Sequence, residues 1–217
     1  SLAPDQIAEF SADQLTALTP AAFKAISTSA LAALSSTQLA SLGKTQIASL
    51  TATQLLSLSP TQFKELPISQ WTALTATQIG YLNSDVISAL TSTMLSALST
   101  TQVKGITSTA LSQLSATQIA AFSSTQLSAL TRTQITALSA TDVAELTPTE
   151  LAAMSSTMLS SLSTTALQGL STTLIASLST TQIKGITSVQ CAALTETQLA
   201  AFADTQIAAL NITTIRG

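Results

Sequence analysis

Histidine is absent from this 217-residue chain, cysteine occurs once, and 17 residues are charged, 8% of the total. Ordinary globular domains carry roughly a quarter charged residues. Each shortage excludes something. Without histidine the commonest general acid/base is missing. Cys191 alone can form neither a disulfide framework nor a Cys/His zinc site. The acids are scattered singly, with no EF-hand loop and no Asp-rich calcium repeat. No glycine-rich phosphate loop is present. A net charge of −3 and a pI near 4.7 speak against polyanion binding. Ser, Thr or Gln interrupts every apolar run, which excludes a membrane span of about 20 apolar residues. Disorder is excluded too: it needs low hydrophobicity with high net charge, whereas 46% of this chain is apolar and the mean hydropathy is +0.45.

What is present is a repeat. From Ala3 the chain divides into blocks of eight with no insertion or deletion: 26 full octads over 3–210 and a partial one over 211–217. The consensus is [Ser/Thr]-x-Thr-Gln-[Leu/Ile]-x-small-[Leu/Ile]. Positions 5 and 8 are apolar in all 26 full octads; position 1 is Ser or Thr in 21, position 3 Thr in 19, position 4 Gln in 16 and position 7 small in 21. Self-similarity at a fixed short period is the signature of a solenoid or array.

The spacing selects the local structure. In a strand, positions 5 and 8 would face opposite sides. In one continuous helix each octad would advance the apolar stripe about 80°, wrapping it around the surface. A short helix that breaks once per octad remains. Ser/Thr at position 1 with Gln at position 4 forms a capping box, as in Ser35/Gln38, Thr51/Gln54 and Ser123/Gln126. Pro4, Pro20, Pro60 and Pro148 fall at position 2, the first helical position, where proline is favoured; Pro67 takes the cap itself. Seven acids lie at positions 2 to 4 and five bases at position 6, as a helix dipole prefers. Four of six glycines, Gly105, Gly169, Gly185 and Gly217, fall at position 7 near the helix end, where small residues would let neighbouring backbones approach closely.

A six-residue helix is unstable alone. Each octad must bury positions 5 and 8 against its neighbours, so the expected fold is an all-α solenoid of very short capped helices. A flat triangle of octads would crowd its own centre, so four to six octads per superhelical turn are expected. Lys24, Lys64, Lys104 and Lys184 lie on a 40-residue grid. Either five octads make one turn, stacking those lysines, or a five-octad module has been duplicated. No composition shift divides the chain, so it reads as one continuous segment. Neither end carries an atypical capping repeat, and the expectation is that it is cut from a longer array.

No catalytic, cofactor-binding or metal-ligating residue is assigned from the sequence, and no cofactor is expected. Cys191 occupies a position 5 and reads as a buried structural thiol rather than a nucleophile. Trp71 and all five Phe fall at positions 5 or 8 and read as core. Tyr81 is the exception, at position 7, as either a surface contact or a filled gap. Asn211-Ile212-Thr213 fits a weak glycosylation sequon. The recurrent Thr of position 3 either serves its own helical turn or presents hydroxyl/methyl rows to an ordered surface such as ice or polysaccharide.

The tract SSTQLSALTRTQITALSATDVAEL (123–146) resembles the Ser/Thr-Gln-Leu/Ile octapeptide arrays of very large bacterial secreted or surface, adhesin-like proteins. The resemblance extends over the whole chain. It implies an extracellular structural spacer or filament with no enzymatic role. The partners it implies are neighbouring repeats of the parent chain. Lateral or end-to-end self-association is a further expectation, because few charges oppose it. Nucleic acid and membrane insertion are not expected.

Overall fold

The computed structural model describes residues 4–210. The sequon, Arg216 and Gly217 lie outside the described residues. Among those described there are 26 short helices and no strand. Each octad holds one helix, from α1 (Pro4–Ala8) to α26 (Asp204–Ala209), each four to six residues long. The chain divides into two compact units, 1–110 and 111–217. Each is an all-α solenoid in which a helix packs on the third helix along.

The octad chemistry explains each helix. Position 1 is extended, with φ near −70° and ψ near 160°, as at Ser35 and Thr75. Its hydroxyl accepts from the amide of position 4, and the Gln there returns the bond, in boxes such as Ser99/Gln102 and Thr131/Gln134. Pro20, Pro60 and Pro148 open their helices, and Pro67 is the cap of α9 (Ile68–Trp71). After position 7 the chain leaves the helix, with position 8 extended at residues such as Leu42 and Leu82. The short helix and extended corner together turn the chain.

Positions 5 and 8 form the core. Trp71, Phe23, Phe63, Ile79 and Leu167 are at most 1% exposed. Phe63 and Trp71, at successive positions 5, meet edge to face at 6.4 Å, and the Trp71 indole N–H donates to the Met94 carbonyl at 3.0 Å. Phe122 and Phe202 are buried at positions 8, whereas Phe10, in the first turn, is only part-buried.

The turn is tighter than four to six octads. In unit 1, α10 (Ala76–Tyr81) packs on α13 (Thr100–Gly105), three octads on. In unit 2, α18 (Ala140–Ala144) packs on α21 (Thr164–Gln168). Position 4 side chains meanwhile reach backbone 28 to 31 residues earlier, in the octad four back. A turn thus holds between three and four octads. Crowding at the centre of a flat triangle is avoided because no layer closes on itself. Each helix starts over the end of the helix four back and finishes over the start of the helix three back. The five-octad turn, and with it a stacked lysine ladder, is not formed.

Coverage is directional. Ile7 and Leu15 in the first turn are fully buried, while Gln14 and Ala22 at positions 4 are exposed. In the last described turn the reverse holds: Gln198 and Gln206 are buried, whereas Leu199 and Ile207 are 40% and 44% exposed. A position 5 side chain is roofed by later octads, and a position 4 side chain sits on earlier ones. Cys191, a position 5 residue in that last turn, is accordingly only part-buried.

Candidate functional site

The recurring polar device of the fold is the glutamine of position 4. The octad pattern suggests one task for it, the capping box. It has two. In Gln78, Oε1 accepts from the Thr75 amide at 2.8 Å. Its Nε2 donates to the carbonyls of Ile47 at 3.1 Å and Leu50 at 2.9 Å, 31 and 28 residues earlier. Gln54 repeats this on Phe23 and Ile26, and Gln46 on Leu15 and Leu18. In unit 2, Gln182 bonds Leu151 and Met154, Gln190 bonds Leu159 and Leu162, and Gln206 bonds Ile175 and Leu178. Each pair of carbonyls marks a helix C-terminal end: that of position 5 also accepts from the amide of position 8, as Ile47 does from Leu50 at 3.2 Å, and that of position 8 lies past the last helical residue. One amide therefore satisfies the start of its own helix and the end of a helix in the preceding turn. Most of these glutamines are buried, and burial of an amide is tolerable only when both ends are bonded.

Two sites show the halves separately. Pro67 has no N–H, and there Gln70 Oε1 is a buried acceptor without a partner, while its Nε2 still reaches Leu39, Ala40 and Leu42. At Asp142 the cap survives, with Oδ2 accepting from the Ser139 amide at 2.7 Å. A carboxylate has nothing to donate to the turn below.

Position 3 threonines are solvent-exposed throughout the described octads. Thr53 and Thr133 contact the hydroxyls of Thr51 and Thr131 at 3.1 Å, within their own helical turn. Because a turn is not a whole number of octads, equivalent threonines in successive turns are staggered rather than aligned.

Unit 1 carries two adjoining surface depressions, of about 350 and 480 Å³. Tyr81 and Thr77 line both. Tyr81 is 45% exposed. Lys24 borders the first depression and Lys104 the second. Among the described residues no group of three or more His, Cys, Asp or Glu could hold a metal ion, and no helix is long and apolar enough to cross a membrane. No known family model and no curated protein matches the chain.

Proposed function

We propose that this chain is a non-catalytic structural module, a spacer, stalk or filament-forming segment of a large extracellular bacterial protein. The observation that carries this reading is the glutamine bridge. It repeats in both units, joins each turn to the one before, and needs no contribution from any other surface. A fold built from identical nearest-neighbour links can be lengthened by adding copies. Its partners on this reading are further octads of the parent chain or other copies of itself. The extracellular, adhesin-like setting rests on the resemblance of 123–146 to octapeptide arrays. Exposed threonines lend the surface-binding alternative some support, but staggered ranks suit a flat crystalline lattice poorly.

Duplicating residues 123–178, seven octads, tests the proposal by small-angle scattering. A spacer gains a constant increment in maximum dimension with each added block. A compact globule would grow only as about the 0.38 power of its length. Growth of that weaker kind overturns the proposal.

A further inference from the structure

We propose that the double depression around Tyr81 is a binding cleft for an acidic oligosaccharide, one whose sugar rings carry carboxylates. Such a cleft goes beyond the spacer reading and does not depend on it.

Tyr81 breaks the pattern of its position. Position 7 is small in 21 of 26 octads because helix backbones meet there. A tyrosine that merely filled a gap would be covered, yet it is 45% exposed. It stands as the shared wall of two depressions. Gly80 and Gly105 line the second, where backbones pack closely: a Cβ on Gly80 would come within 3.1 Å of the Gly105 carbonyl oxygen, and one on Gly105 within 2.2 Å of that of Ala76. Tyr81 stands exposed beside this closely packed backbone.

The surrounding chemistry is one-sided. The chain has seven basic residues and a net charge of −3. Two of those seven, Lys24 and Lys104, border the two depressions, and no acid lines either one. They lie 80 residues apart, ten octads or about three turns, so the coil brings them to one face. Hydroxyl-bearing residues Ser49, Thr51, Thr75, Thr77 and Thr101 are also part of the lining. An exposed aromatic face suits the apolar face of a pyranose ring. Hydroxyl groups suit sugar hydroxyls, and flanking ammonium groups suit carboxylates. A uronate oligosaccharide supplies all three features at this scale. The net charge of −3 opposes any long polyanion, nucleic acid included, so the occupant is a short oligosaccharide whose few carboxylates the two lysines can meet.

The test is titration of the full chain with trigalacturonic acid, followed by NMR of the ring signals of Tyr81, the only tyrosine. Neutral galactotriose and a short oligo-dT serve as comparisons. We expect the Tyr81 signals to shift with the acidic trisaccharide, and the neutral one to bind roughly tenfold more weakly. Tyr81→Ala, which installs a residue common at position 7, should weaken binding roughly tenfold with an unchanged melt, and Tyr81→Phe should retain it. Lys24→Gln with Lys104→Gln should abolish the preference for the acidic sugar. No shift at millimolar ligand, equal affinity for the neutral sugar, indifference to Tyr81→Ala, or tighter binding of oligo-dT would each overturn the proposal.

Discussion

At the scale of the residue, the glutamine of position 4 divides into a legible half and a hidden half. Its capping role follows from a three-residue spacing and could be read directly. Its donor role reaches 28 or more residues back and leaves no mark in any local window. One clue was available. Glutamate serves a capping box as well as glutamine does, yet position 4 holds Gln sixteen times and Glu once, at Glu150. A requirement for a donor explains that bias. Two substitutions test the halves independently. Pro67→Ser restores an N–H to the orphaned Gln70 Oε1 and adds a hydroxyl cap. The gain of about 1–2 kcal/mol for a cap and its hydrogen bond is partly offset by the entropy proline removes from the unfolded chain. A net rise of about 1 kcal/mol, or roughly 2–4 °C in Tm, is expected in thermal melting. Asp142→Gln supplies a donor for the carbonyls of Leu111 and Leu114, 31 and 28 residues earlier, and removes a buried carboxylate, 5% exposed, from helix C-terminal ends. It should stabilise by about 1 kcal/mol, and Gln182→Glu should destabilise by at least as much. A melt in which both changes fall in the same direction would rule out the donor role.

At the scale of the element, helix positions were legible because independent signals agreed: caps, first-turn prolines and dipole-matched charges such as Lys64 at the end of α8 (Pro60–Lys64). The glycines of position 7 were legible both as markers of the helix end and, with the other small residues there, as places where neighbouring backbones approach closely, and the second is their reason. No described residue has a positive φ, so no left-handed cap calls for glycine. Gly105 instead lies against the backbone of Ala76, where a Cβ would fall 2.2 Å from the carbonyl oxygen. Gly169 meets Ala140 and Gly185 meets Ser156 in the same way. Backbone cannot yield as a side-chain tip can. Gly105→Ala should therefore cost about 1–3 kcal/mol by overpacking, despite alanine's better helix propensity. Gly43 is a cap with φ of −73°, and a Cβ added there would meet nothing closer than 3.6 Å. Gly43→Ser should be neutral or stabilise by a few tenths of a kcal/mol. Denaturant midpoints of the two variants separate close approach from helix propensity, because propensity alone would make both changes favourable.

At the scale of the whole molecule, the all-α solenoid was legible and its pitch was not. Octad spacing determines how often the chain bends. The turn count depends on the corner angle and on which carbonyls the glutamines reach, and neither is periodic information. The 40-residue lysine grid fitted either a duplicated five-octad module or a five-octad turn, and the coil does not have that turn. What the pitch does dictate is tolerance to deletion. Removing the octad Ser123–Leu130 leaves every later glutamine at a position 4, facing an octad four back. Only the identity of each partner changes, and stability in such an array is a sum over repeats and nearest-neighbour links. The deletion should keep one cooperative melt, the same helicity per residue by circular dichroism, and a Tm within a few degrees of the parent. Removing only Ser123–Gln126 leaves half an octad without a cap, with Leu127 and Leu130 no longer set by one. The links then break across about one turn in each direction, costing several buried side chains at about 2–5 kcal/mol each. That variant should melt earlier or in two steps. If both deletions melt alike, the octad is not the unit in which this fold is built.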